Sequence, residues 1–195
     1  MLPIITIART EKDFQGILKL QEINHKDSVS DELKNREGFV TVKHDLDLLQ
    51  EMANLDPQII AKFDDQVIGF ALVMSTKLKD SIDVLKPMFT ELESVEFQNK
   101  AINNLSYYIM GQICIAEKWR KKGLFTALYN EHRNRLFPKY QLCITEVSEK
   151  NPRSLRAHLR YGFDSIHQYS DVSDDWHILA YDLTQTNTSD QFVEK

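Results

Sequence analysis

Apolar residues recur along this chain with two distinct periods. Phe14, Ile17, Leu18 and Leu20 fit a 3.6-residue repeat, as do Leu46, Leu49 and Met52, so helices are predicted over about 11–22 and 45–54. Thr10 and Asp45 stand where a side-chain oxygen would accept from first-turn N–H groups. Residues 3–8, 58–63 and 67–75 read as strands, the last two joined by the short polar link Asp64-Asp65-Gln66. In 67–75 both faces are apolar, with Val67, Ala71 and Val73 on one side and Ile68, Phe70, Leu72 and Met74 on the other. That pattern predicts a central strand, buried from both sides.

The middle of the chain is harder to read. Ile82, Leu85, Met88, Phe89 and Leu92 have helical spacing, but Pro87 must begin a turn or helix, because it cannot donate from a helix interior. The stretch 25–38 is polar without a period. From Met110 an apolar run reads as a strand to Ala116 and meets the cationic turn Arg120-Lys121-Lys122-Gly123, which opens a helix carrying Leu124, Phe125, Ala127 and Leu128. A further strand from Leu142 leads to Asn151 as a helix N-cap, Pro152 at the first helical position and Gly162 where a left-handed residue would close the helix. Residues 164–169 and 176–183 form a predicted final hairpin. Residues 184–195 are a polar tail, leaving 1–183 as a single domain.

Strand, basic turn and helix in that order make an anion site. The first turn of a helix has N–H groups without intrahelical partners and partial positive charge from the macrodipole, and Gly123 lets the backbone approach a phosphate closely. Arg120-x-x-Gly123-x-Phe125 resembles the Arg/Gln-x-x-Gly-x-Gly/Ala signature of the GNAT superfamily of N-acetyltransferases, with Phe125 in place of a small residue. The segment Glu146-Val147 through Asn151, Ser154, His158 and Gly162-Phe163 resembles the family's next strand and helix, with His158 where Tyr is usual. The likeness extends more weakly over residues 3–183.

The resemblance implies an α/β (α+β) fold: a mixed, mostly antiparallel central sheet flanked by helices, with a splayed strand pair that binds coenzyme A. It implies acetyl transfer from acetyl-CoA to a primary amine in a ternary complex, with no metal. The expected cofactor contacts are Ile113, Cys114 and Ile115 on the splayed strand, Arg120, Lys121, Lys122, Gly123, Leu124, Phe125 and Thr126 on the loop and helix, and Asn151, Ser154 and His158 beyond. Backbone groups of Ile113 and Ile115 would pair with the pantetheine arm and the acetyl carbonyl. Glu146 is the expected general base, with Glu117 its rival, and His158 the expected acid for the leaving thiolate or else a packing residue. Tyr161, one turn on, is an alternative donor, and Tyr107 or Tyr108 would line the cleft. Segments 23–44 and 77–106 are expected to select the acceptor, a small-molecule amine or a protein amino group. Acidic Asp80, Asp83, Glu91, Glu93 and Glu96 would suit a cationic one. A catalytically silent acyl-CoA sensor is the other reading of the same motifs.

Charge and cysteine content narrow the field. A formal net charge of -5 argues against a general nucleic-acid binder, so the cations Lys118, Arg120, Lys121, Lys122, Lys150, Arg153 and Arg156 point to a local polyanion instead. Cys114 and Cys143 both lie in apolar runs and read as reduced core residues, which makes Cys114 a weak nucleophile. The six His residues are scattered without metal-ligand spacing. The first residues lack a secretory pattern and no run has membrane-span length, so a soluble cytoplasmic protein is expected, compatible with a homodimer.

Overall fold

The computed structural model describes residues 2–30, 32, 34 and 38–185. Its elements run β1 (Ile4–Ile7), α1 (Glu11–Asn24), α2 (Leu46–Leu55), β2 (Ile59–Phe63), β3 (Gln66–Ser75), α3 (Lys86–Leu92), β4 (Glu96–Phe97), β5 (Lys100–Ala101), β6 (Tyr107–Ile115), α4 (Leu124–Leu136), β7 (Leu142–Ser148), α5 (Pro152–Tyr161), β8 (Asp164–Ser170) and β9 (Asp175–Asp182). A seven-stranded sheet has the order β1-β2-β3-β6-β7-β9-β8, and β4 and β5 form a separate hairpin. Every pairing in the large sheet is antiparallel except β6 with β7. The mixed, mostly antiparallel sheet flanked by helices is the expected one. The predicted tail from residue 186 onward lies outside the described residues, within which no helix is long and apolar enough to cross a membrane.

Local chemistry sets the helix ends as predicted. Thr10 accepts from Asp13 N–H while the Asp13 carboxylate accepts from Thr10 N–H, a reciprocal cap at the start of α1. Burial pushes the Asp13 carboxyl up, but bonds from Lys62 and from the N–H groups of Arg9 and Thr10 outweigh it and hold the group well below the usual carboxylate range. Asp45 caps α2 and Asn151 caps α5, where Pro152 opens the helix and Gly162 closes it at φ 118°. Pro87 sits in the first turn of α3, where no intrahelical donor is needed.

The sheet separates two cores. Phe70, Leu72 and Met74 of β3 pack with residues of α1, α2 and α3, while Ala71 and Val73 pack with residues of α4. The side-chain phase of β3 differs from the predicted one. Strict alternation puts Val67 with Ala71 and Val73, yet Val67 packs in the first core and Ile68 in the second. The cause is a bulge: Ala61 pairs with Gly69 and Lys62 with Val67, so Ile68 is the extra residue and the side-chain phase reverses. A second bulge at Gly111 does the same on β6, where Leu72 faces Gln112 and Val73 faces Met110. Beyond it, Gln112 and Cys114 point to the first core's face, Ile113 and Ile115 to the second's.

Candidate functional site

β6 and β7 start side by side and then part. They pair only as Tyr107 with Leu142, Tyr108 with Cys143 and Ile109 with Ile144. After that β6 keeps its bonds to β3 and β7 keeps its bonds to β9, which leaves a V-shaped gap in the sheet. The Thr145 hydroxyl donates to the Met110 carbonyl at 3.1 Å and closes the vertex. Ala116 N–H donates to Ile68 O, so alternation along the extended strand turns the backbone groups of Ile113 and Ile115 away from β3, into the gap.

The turn after β6 leads to a helix start that no side chain caps. Gly123 is its N-cap, at φ 79° and ψ -2°, and the first intrahelical bond joins Ala127 N–H to Gly123 O at 3.0 Å. The N–H groups of Leu124, Phe125 and Thr126 therefore have no intrahelical partner. A β-carbon on Gly123 would have nothing within 4 Å, so the space before the helix is open. A cavity of about 330 Å³ lies there. Of the expected cofactor residues, Ile113, Cys114, Ile115, Arg120, Lys121, Gly123, Leu124, Phe125, Thr126, Asn151 and Ser154 line it.

Other expectations fall elsewhere. The Lys122 ammonium sits over the Trp119 ring, 4.9 Å from its centroid, and is not among the lining residues. Of the remaining clustered cations, Arg153 lines the cavity, whereas Lys150 pairs with Asp174 at 3.1 Å. Arg160 lines it too and was missed, because its polar helix position carries no motif. Arg120 turns its side chain inward: Nε donates to the Ile115 carbonyl at 2.9 Å and Nη2 to Asn24 Oδ1 at 2.6 Å. Asn151 uses its Oδ1 to cap Ser154 N–H and its Nδ2 to hold the Phe39 carbonyl at 3.0 Å. That bond, together with the backbone bonds of Val40 to Asn24 and Lys26, makes the segment from Gly38 to Val40 a wall of the cavity. Glu117, Tyr107 and Tyr108 line neither this cavity nor its neighbour.

A smaller cavity of about 70 Å³ fills the V itself, and Phe39, Val40, Ile113, Asn151 and Ser154 line both. Glu146 and His158 line it as well. Glu146 alternates with Leu142 and Ile144, which places it on the face of α1, α2 and α3, whereas His158 comes from α5 on the opposite face. The Tyr169 hydroxyl donates to Glu146 Oε2 at 2.6 Å. Burial pushes the Glu146 carboxyl up to about 7, the Tyr169 bond works against that, and the nearby Asp171 charge adds to it.

His158 is buried and both its ring nitrogens are engaged. Nδ1 lies 2.8 Å from the Ser154 carbonyl, which can only accept, so Nδ1 carries the hydrogen and Nε2 accepts from the Tyr129 hydroxyl at 2.7 Å. Burial pulls the imidazole down to about 4. Phe125, the departure from the motif, packs edge-on against this ring at 5.1 Å and lies tilted against Tyr129 at 5.0 Å. The Tyr161 hydroxyl donates to Asn130. Burial also raises the thiols of Cys114 and Cys143 to about 12, which keeps both protonated at neutral pH.

No protein-family model and no curated protein sequence matches this chain. Solved structures match it over nearly its whole length. An N-acetyltransferase from Staphylococcus aureus Mu50 has a TM-score of 0.62 at 15% identity, over 94% of this chain and 99% of that one. The yncA protein from Salmonella typhimurium, solved with its cofactor acetyl-CoA, has a TM-score of 0.62 at 14% identity, over 95% and 96%. The ribosomal-protein-S18-alanine N-acetyltransferase from Escherichia coli has a TM-score of 0.59 at 11% identity, over 96% and 97%. These likenesses establish the fold.

Proposed function

We propose that this chain, built on the GNAT fold, is an acetyl-CoA-dependent N-acetyltransferase acting on a primary amine of a small molecule or a protein. The observation that carries the reading is the uncapped N-terminus of α4, which opens among Arg120, Lys121, Arg153 and Arg160 into a cavity that shares walls with the one holding Glu146. Such a terminus suits a pyrophosphate, and the open space before Gly123 admits one. The elongated remainder of coenzyme A fits a path along Ile113 and Ile115, whose backbone groups face the gap.

Acetyl-CoA, when bound, supplies an activated acyl carbon: the amine nitrogen bonds to that carbon, the C–S bond breaks and the sulfur leaves as thiolate. The backbone N–H of Ile113 or Ile115 is the donor for the charge that develops on the carbonyl oxygen. Of the two protons an ammonium acceptor sheds, Glu146 takes one and the thiolate sulfur ends with the other. A carboxyl held near 7 is well matched to accepting a proton at neutral pH. His158, neutral and bonded at both nitrogens, acts in this reading as a strut that holds Tyr129 and the wall of the gap.

The test is a calorimetric titration with acetyl-CoA, followed by a panel of primary amines scored for thiol release. Binding with amine-dependent release is expected, and Gly123→Asp, which sets an anion before α4, should weaken acetyl-CoA by tenfold or more. Binding without release from any amine would make the chain a sensor. Undiminished affinity in a folded Gly123→Asp variant would remove the phosphate assignment.

A further inference from the structure

β7 and β8 are not neighbours; β9 lies between them. Adjacent strands are about 4.8 Å apart, so β7 and β8 stand nearly 10 Å from each other. Yet Tyr169 of β8 reaches across β9 and touches Glu146 of β7. The register explains how. Glu146 lies opposite Ile178 and Tyr169 opposite Trp176, so the phenol crosses β9 diagonally and meets the carboxylate over the middle strand at 2.6 Å. A hydroxyl at that distance from a carboxylate oxygen is a charge-assisted bond, among the stronger single contacts a carboxylate makes.

We infer that Tyr169 is a positioning residue for the reaction proposed above: its one hydrogen bond holds the Glu146 carboxylate in place at the gap and favours its ionised form. The rest of the surroundings does the opposite. Burial disfavours the charge, and Asp171, at the start of the turn between β8 and β9, repels it. Asp171 is itself firmly ionised, because the hydroxyl and N–H of Ser173 and the N–H of Asp174 all donate to it. Two other acidic groups on that side are paired, and buried His44, which reaches Gln112 of the same cavity through Gln21, is neutral. Glu91 of α3 accepts from His167 of β8 at 2.9 Å, and Asp174 holds Lys150. His158, across the gap, is neutral. Among the described residues acting on Glu146, Tyr169 is therefore the side chain that favours its charge.

The inference rests on Glu146 being the base, and two variants separate the claims. Tyr169→Phe keeps the ring and the strand and deletes only the hydroxyl. The full chain, labelled with ¹³C at glutamate carboxyls, is titrated by NMR, with the Glu146 signal identified by its loss in Glu146→Gln. The Glu146 midpoint should rise by about one to two pH units in Tyr169→Phe, the worth of one hydrogen bond to a charged group. In Asp171→Asn it should fall. The acidic limb of turnover with the acceptor found in the amine panel should move with the midpoint, while acetyl-CoA affinity stays within about twofold. A purely structural Tyr169 predicts a lower melting temperature with midpoint and limb unmoved, and that result overturns the inference. So does a displaced midpoint that the turnover limb does not follow. If Glu146→Gln instead turns over like the wild type at neutral pH, the assignment of the base fails first, and the NMR titration identifies which of the two ideas was wrong.

Discussion

Exchanging Glu146 for Gln should make the protein more stable in alkali. The carboxyl rises from 4.5 to about 7 on folding, chiefly through burial. A group that holds its proton more tightly in the folded state stabilises that state below its unfolded value, and the benefit disappears as pH climbs through the folded value. Between pH 4.5 and about 7 the wild type therefore loses roughly 3 kcal/mol that the uncharged amide does not lose. For a chain of this size, ~3 kcal/mol corresponds to about 6–12 °C in melting temperature. Gln keeps an oxygen for the Tyr169 hydroxyl, so the local geometry is conserved. Melting both proteins from pH 4.5 to 8.5 isolates the effect, because every other titrating group is common to the pair. The two curves should diverge steadily and then run parallel above about pH 8. Curves that stay parallel across the whole range would refute the reasoning, because they would mean that Glu146 is solvated and ionises at an ordinary value.

Two further outcomes are expected. His158→Ala leaves the buried Tyr129 hydroxyl without its acceptor and opens a void, so it should cost about 3 kcal/mol while the single-turnover rate at saturating acetyl-CoA stays within severalfold; a fall of ~10²-fold or more would return the acid role to the imidazole. Burial also holds His44, His132 and His158 down at about 4, so unfolding below pH 6.5 takes up three protons, offset by the one that Glu146 releases. Urea unfolding should lose about 3 kcal/mol per pH unit between roughly pH 6 and 4.5, and a flat dependence would contradict the burial of these rings.

What could be read from the chain followed the range of the interactions. Caps act over three residues, and Thr10, Asp45 and Asn151 were legible because the acceptor and its donors are neighbours in sequence. The strand phases of β3 and β6 were not: Gly69 and Gly111 inside apolar runs hint at bulges, but the residue at which the phase reverses depends on register with the partner strand. The β4–β5 hairpin was missed although Gln98-Asn99, both at positive φ, form its turn; two-residue strands are too short to show a period. The basic turn and Gly123 announced the larger cavity, but Phe39 entered its wall through a bond between residues 112 positions apart, and Val40 through backbone bonds to Asn24 and Lys26. Tyr169 escaped notice for the same reason, since only the strand order brings it over Glu146. His158 could be located but its protonation could not, because that depends on Tyr129 and Phe125 from a different helix.

The short contact between β6 and β7 also governs how the molecule breathes. Three residue pairs join the block β1-β2-β3-β6 to the block β7-β9-β8, whereas β3 with β6 and β7 with β9 each share seven. Amide exchange should accordingly be slowest inside each block and fastest along the line between them, with the blocks opening as separate cooperative units. Widening the slot must break those few backbone bonds at its vertex and also shift the two cores, where Ile144 and Ile178 pack with Phe70 and Leu72, and Cys143 and Leu179 with Ala71 and Val73. The same weak seam would then set both the width of the cleft available to an incoming acceptor and the first point at which the native state comes apart.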